Sequence, residues 1–254
     1  MIPFSKTQTP VLGIGDIHCY VGTPDCAAFY TWILQSLEEA MHPGFGPPSP
    51  PLSEITMGQM GNIGEAITYL VGRTERFNSV PFVATLGSAL TPFNASALTG
   101  IDITIVYLDP NGVVANDRLF IQEIKTTGAA QLGYSAALIG DYQKLLDTTK
   151  PSLSLMSRVS SLKAKLKWEH HFAPALLQRV ENFAQPSASD CTRIRLLPTL
   201  VHDRNSNPVV ALSHVMSQIQ LQGWPQGCIE AWSISISQLN QSLLHIANRA
   251  PFTP

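Results

Sequence analysis

GIDITIVYLDPNGVVANDRLFIQEIKTT, residues 100–127, is the stretch on which the reading of the chain turns. Its flanks, GIDITIVYLDPNG (100–112) and RLFIQEIKTT (118–127), are β-branched runs that alternate residue by residue around a turn-rich DPNG. This predicts two strands folded back on each other, with a loop across roughly 109–116. Side chains two apart on a strand point the same way. Asp102 and Thr104 then share a face while Ile101, Ile103 and Ile105 take the other. Glu123 and Lys125 likewise share a face, with Ile124 turned into the core. In a hairpin of this length Asp102 falls opposite Glu123, where Cβ atoms sit about 5 Å apart.

Working outward, residues 1–23 predict one or two short strands, and DCAAFYTWILQSLEEAM (25–41) a helix with Asp25 as N-cap. HPGFGPPSPP (42–51) is a loop, because proline removes donors and glycine adds chain entropy. MGQMGNIGEAITYLVGR (57–73) predicts a helix with Ile63, Ile67 and Leu70 on one face. Beyond the hairpin, a helix is expected at about 129–147, carrying Gln131, Tyr134, Asp141 and Lys144. Further helix spans about 153–183 with a break near Pro174, and QPSASD (185–190) reads as a linker. TRIRLLPTLVHD (192–203) and CIEAWSISIS (228–237) predict strands, and a short helix closes the chain. For VVALSHVMSQIQLQ (209–222), periodicity leaves helix and strand open. The order is α/β, in one domain over 1–254: an N-terminal elaboration (1–56), a core (57–150), then a helical segment with late strands (151–254).

Only 13% of the residues are charged, against about a quarter in ordinary soluble domains, which suggests a surface partly covered by a partner. No apolar run approaches the ~20 residues of a membrane span, and MIPFSKTQTP lacks the apolar core of a signal peptide. Cys19, Cys26, Cys191 and Cys228 are too scattered for a zinc site and are expected to be reduced thiols in the cytoplasm. The net charge of −2 gives no global attraction for nucleic acid, so any DNA contact must come from a local basic patch or a partner.

Two converging carboxylates with a lysine beside them meet the needs of metal-assisted phosphodiester hydrolysis. Mg²⁺ (or Mn²⁺) takes oxygen ligands and shares its shell with phosphate and water. A water must also be activated and the charge growing on phosphorus stabilised. Asp102 and Glu123 would bind the ion, with the backbone carbonyl of Ile124 facing the same site, and Lys125 would orient the attacking water. The same letters also suit a solvated sheet face with a cross-strand salt bridge. Against that, QEIKTT spends its charges inside an apolar strand of a charge-poor chain, and Asp102 opens its strand at a sheet end.

Asp102 followed one strand later by Glu123-Ile124-Lys125 resembles the PD-(D/E)XK nuclease superfamily of restriction endonucleases, junction resolvases and recombination exonucleases. The resemblance covers about 61–147 and implies a restriction-endonuclease-like core, a central mixed sheet flanked by helices, that cuts DNA with Mg²⁺. In that superfamily a preceding helix often adds an acid; GNIGEA (61–66) looks like that element and makes Glu65 a third carboxylate. Ile101 stands where the superfamily's name has proline, a position its members vary. Some recombination exonucleases carry a Gln and Tyr on the next helix; Gln131 and Tyr134 match at a spacing one residue short, as phosphate contacts or as plain helix surface. The layout is also similar to the nuclease subunit of the Hachiman anti-phage system, which implies a helicase or other protein subunit as partner and a role in antiviral defence. A non-catalytic subunit of a nucleic-acid complex that keeps the nuclease fold is the rival reading.

Two other signals carry less. LGIGDIHCYVG (12–22) resembles the opening of calcineurin-like metallophosphoesterases, but the later ligand motifs of that family are missing, so Asp16 and His18 read as a turn and a strand residue. RVSSLKAKLKWEHH (158–171) is the densest basic run, and Lys163, Lys165 and Lys167 are its candidates for DNA-backbone contact. His170 and His171 point apart on a helix and make a poor ligand pair.

Overall fold

The computed structural model describes residues 4–22, 31–33, 35, 50–77, 80–81, 83–86, 102–128, 132–146, 155–168, 170–184, 193–225 and 227–248. In chain order the elements are β1 (Phe4–Val11), β2 (Gly15–Gly22), α1 (Met57–Thr74), β3 (Arg76–Phe77), β4 (Val80–Pro81), β5 (Val83–Leu86), β6 (Ile103–Tyr107) and β7 (Arg118–Thr127). They continue with α2 (Leu132–Leu146), α3 (Leu155–Trp168), α4 (Pro174–Glu181), β8 (Ile194–Asp203), α5 (Val209–Leu221), β9 (Ala231–Ile236) and α6 (Leu239–Asn248). Seven strands make one sheet in the order β1-β2-β9-β8-β7-β6-β5, and β3 and β4 pair separately. The strands β2, β9, β8 and β7 run parallel, while β1 on one side and β6 and β5 on the other pair antiparallel. The fold is therefore α/β, a central mixed sheet flanked by helices. The β1–β2 hairpin, within the stretch 1–56 expected to be an N-terminal elaboration, enters the sheet beside β9 with Ile17 paired to Ala231.

Helices cover both faces. On one, Ile63, Ile67 and Leu70 of α1 and Leu239, Leu243 and Ile246 of α6 pack on Ile103, Ile105, Phe120 and Ile124. On the other, α2, α3, α4 and α5 bring Leu138, Tyr142, Val159, Leu162, Leu177, Val180, Leu212 and Val215 onto Val106, Leu119, Ile121 and Leu200. All five residues of β6 are consequently buried, as expected of a strand covered on both sides.

Local chemistry explains the boundaries. Thr56 caps α1 through a reciprocal capping box: Gln59 N donates to Thr56 Oγ1 at 3.3 Å, and Thr56 N donates to Gln59 Oε1 at 2.9 Å. Pro174 opens α4, where its missing N–H leaves nothing unsatisfied, so the expected break falls between Trp168 and Pro174. The undecided segment is the helix α5; its buried residues Ala211, Leu212, Val215, Met216 and Ile219 recur at helical spacing. Of the helix expected at 25–41, residues 31–33 and 35 are described and are helical. Asp25, most of the 42–51 loop, Gln131 and the 185–190 linker lie outside the described residues. Among the described residues, no helix is long and apolar enough to cross a membrane.

The far end of the β6–β7 hairpin is tied down by a polar knot. Asp109 turns the DPNG loop by accepting from Asn111 N at 2.7 Å and Asn116 Nδ2 at 2.7 Å. Asp117, fully buried, accepts from Asp109 N at 2.9 Å and from Arg179 Nε at 3.0 Å, and the same arginine's Nη2 reaches its other oxygen. Arg179 Nη2 also donates to Asp109 O at 3.0 Å, so this fork holds α4 against the hairpin loop.

Candidate active site

The other end of the same hairpin gathers the acids. β6 pairs with β7 in the register Ile103↔Gln122, so the next residue out, Asp102, falls opposite Glu123 as the sequence predicts. β6 ends at Ile103, and the side chain of Asp102 replaces its backbone there: Ile124 N donates to Asp102 Oδ2 at 2.6 Å. A strand residue exposes its N–H and C=O on the same edge, so the Ile124 carbonyl lies on the Asp102 side of β7. Ile124's side chain is buried under α1, as expected.

Glu123 and Lys125 project to the opposite face, towards α2 and α3. Glu123 is 2% exposed. Two residues of α2 hold this part of β7: the Tyr142 hydroxyl donates to Ile121 O and accepts from Glu123 N, each at 3.2 Å. Its neighbour Asp141 accepts from Lys125 Nζ at 2.8 Å through one oxygen and from Lys144 Nζ at 2.6 Å through the other. From α3, Arg158 Nη1 stands 3.7 Å from Glu123 Oε1. Glu65 enters from α1 and feels both Asp102 and Lys125.

Placing these acids together costs electrostatic energy, and their proton affinities record it. Burial, and then the charge of Asp102, push Glu65 up to about 8 against the pull of Lys125. Asp102 is pushed up to about 6 by burial, with Lys125 and the Ile124 N–H opposing. Glu123 is raised well above the usual carboxylate range by burial and by Asp102 and Asp141, which Arg158 and Lys125 only partly offset. Burial alone would pull Lys125 down, but the charges of Asp102, Asp141 and Glu123 outweigh it and hold the ammonium raised. Among the described residues, no three His, Cys, Asp or Glu side chains form a ready-made ligand set. Mg²⁺ does not demand one, since it is commonly held by one or two carboxylates with the rest of its shell left to water and phosphate. The donors here suit it: Glu123 Oε1 is buried and accepts no hydrogen bond among the described residues, and Asp102 and the Ile124 carbonyl supply further oxygen chemistry.

The other sequence candidates are placed elsewhere. Lys163 forms an ion pair with Glu181 of α4, and Lys167 Nζ lies 5.1 Å from the ring of its exposed neighbour Trp168. Lys165 shares α3 with them, half-buried, about two helical turns beyond Arg158. Tyr134 packs against the apolar core. His18 lies 3.5 Å from Glu230, across the sheet from the acids. Arg158, Asp141 and Tyr142 are the site residues that sequence reasoning missed. The charges were visible, but which of them faces the sheet depends on how α2 and α3 are rotated about their axes. No protein-family model matches the chain, and no curated protein matches it.

Proposed function

We propose that this chain is a metal-dependent nuclease that hydrolyses DNA phosphodiester bonds. The observation that supports it most is the Asp102–Ile124 hydrogen bond, which locks the first acid onto the middle of Glu-Ile-Lys in the order that the PD-(D/E)XK resemblance calls for. Three acids with raised proton affinity beside a lysine are an expense that a cation would relieve. Asp102, Glu123 and the Ile124 carbonyl would hold Mg²⁺ or Mn²⁺, with Glu65 completing the negative field. The bound ion supplies Lewis acidity towards a phosphoryl oxygen and a more acidic water. Lys125, steadied by Asp141, offsets the charge that grows on the phosphate and orients the nucleophile. DNA as substrate, a helicase partner and a role in anti-phage defence follow from the resemblances, and with a net charge of −2 the grip on DNA falls to local cations.

The test is cleavage of single- and double-stranded oligonucleotides with Mg²⁺. Asp102→Ala and Lys125→Ala are each expected to lower the rate at least ~100-fold while circular dichroism is unchanged. Undiminished cleavage by both variants rules the proposal out. One feature favours the rival reading of a non-catalytic subunit: Lys125 and Glu123 already have counter-charges in Asp141 and Arg158. A Mn²⁺ titration by calorimetry separates the two, because a scaffold gives no heat that Asp102→Ala abolishes.

A further inference from the structure

Four arginines gather at the end of the β6–β7 hairpin away from the acids. One of them, Arg179, is the partner of buried Asp117 and meets it with both arms of its fork. The other three are half-buried. Arg118 Nη1 donates to Ala115 O and Asp117 O, each at 2.8 Å, and Arg193 Nη1 to the adjoining Val114 O at 3.4 Å. Arg195 Nη1 donates to Gly227 O at 2.6 Å and to Cys228 Sγ at 3.4 Å. Phe120 of β7 pairs with Arg195 of β8, and alternation then sets Arg118 on the same face as Arg195. Carbonyl dipoles hold these side chains in place without cancelling their charge. The repulsion registers in Arg118, whose pKa is lowered by burial and then by Arg195 and Arg193, with Asp117 opposing. Asp117 already serves Arg179, and the Asp109 carboxylate is tied to Asn111 and Asn116. Among the described residues, Arg118 and Arg195 hold the protein through Nη1 alone, which leaves Nη2 of each for another acceptor. Beside them, Arg193 opens onto a recess of about 790 Å³ between α3 and α4, lined also by Ser160, Lys163, Gln178 and Asn182. Glu181 lines it too, but Lys163 matches its charge.

We propose that Arg118, Arg193 and Arg195, with the recess beside Arg193, form a binding site for the backbone phosphates of a nucleic acid. Like charges are brought together here at a cost, and an anion shared among them removes it. A planar guanidinium matches phosphate oxygens two at a time, and a nucleic-acid backbone repeats its phosphates so that several arginines can engage it together. The choice of nucleic acid over other polyanions rests on the nuclease reading above. The site is distinct from the acids: Arg118 lies seven residues before Lys125 on β7, roughly 23 Å away along an extended strand. It supplies the local cations that a chain of net charge −2 needs to hold a polyanion, and DNA held there leaves the acids clear.

The test is fluorescence anisotropy of a labelled mixed-sequence DNA duplex in EDTA, where no metal can bridge DNA to the acids. The double variant Arg118→Gln, Arg195→Gln is expected to bind about tenfold more weakly at low salt, and its plot of log affinity against log salt should flatten by about two. The double variant Arg118→Lys, Arg195→Lys keeps both charges, so it should keep the wild-type salt slope at a slightly lower affinity. If the lysine pair loses as much as the glutamine pair, the arginines only staple the backbone and the proposal fails. Unchanged affinity and slope in the glutamine pair overturn it as well. So does labelled polyglutamate that binds through these arginines while DNA does not, since the partner would then be an acidic protein segment. Cleavage separates the two readings. DNA binding in EDTA that the glutamine pair loses, without any Mg²⁺-dependent cleavage by wild type, removes the nuclease reading and leaves this site. Cleavage that Asp102→Ala abolishes, beside an unchanged salt slope in the glutamine pair, does the reverse.

Discussion

Gly64 of α1 lies against Thr126 of β7 so closely that a Cβ at Gly64 would stand 1.8 Å from Thr126 Oγ1, 3.0 Å from its Cβ and 3.2 Å from its Cγ2. The helix comes down onto the strand at this point, one residue before Glu65 and one after Lys125. The glycine thus sets how near the third acid comes to the other charges. Rotation of Thr126 gives little relief, because all three of its side-chain atoms crowd the position and a β-branched χ1 is stiff.

Gly64→Ala should therefore destabilise the protein. Replacing glycine inside a helix gains about 1 kcal/mol, whereas overpacking a core costs about 1–3 kcal/mol and here lifts the helix as well. A net loss of about 1–2 kcal/mol is expected in chemical denaturation, together with reduced cleavage from the displaced Glu65. Adding Thr126→Ala removes Oγ1 and Cγ2 and should restore most of both. A double variant no better than the single one would refute the close-approach explanation.

Stability and the site should separate at the other end of the hairpin. Arg179→Ala leaves the fully buried Asp117 carboxylate without its fork, and breaking a pair of this kind costs about 3–5 kcal/mol. Asp117 and Asp102 flank opposite ends of β6 and β7, so Mn²⁺ affinity of the folded variant should match wild type. Urea denaturation beside calorimetry checks both halves. A loss of metal binding at temperatures where the variant remains folded would mean that the two ends are coupled.

How much of this could be read beforehand depended on whether the cause was local. The β6–β7 register was legible because alternation and a DPNG turn fix it within 28 residues, and Asp102 opposite Glu123 followed from it. α1 was legible through the shared face of Ile63, Ile67 and Leu70, while the Thr56–Gln59 capping box came only with the structure. The parallel insertion of β2 beside β9 was not, because Ile17 and Ala231 meet across almost the whole chain. α5 was ambiguous for a different reason: VVALSHVMSQIQLQ is apolar with small polar residues interspersed, and only packing on the sheet selects the helical spacing. The same limit hid Arg158. It sits in a basic run whose members take different directions on α3, one to Glu123 and another, Lys163, to Glu181.

Asp141 is expected to act on the reaction through Lys125 and not by touching substrate. Its two oxygens hold Lys125 and Lys144, and its charge is among those that keep the Lys125 ammonium protonated. Asp141→Asn removes that charge and weakens the hydrogen bond, so the Lys125 pKa should fall. The expected signature is a roughly tenfold loss in kcat with little change in KM, and a high-pH limb of the rate profile that begins at lower pH. A purely structural role would lower activity without moving that limb.

Metal dependence and pH dependence should be linked, with a definite sign. Glu65 and Asp102 are raised to about 8 and about 6 from ordinary values of 4.5 and 3.8, so between these limits the folded metal-free protein binds more protons than the unfolded chain. The stability they contribute is complete below the ordinary values and is lost as pH rises through about 6 and then about 8. Mg²⁺ needs the ionised carboxylates, so it should stabilise most where the metal-free protein has lost most. The rise in Tm on adding Mg²⁺ should therefore be larger near pH 8.5 than near about pH 5.5. His202, whose pKa burial lowers, acts with the opposite sign on the acid side of neutrality: its contribution is lost as pH falls. The informative comparison is thus between wild type and Glu65→Gln. Without metal, the variant should lose less stability between about pH 6 and pH 8.5; with Mg²⁺, it should gain less. Equal pH slopes for the two proteins would show that Glu65 is not buried among the charges of this site.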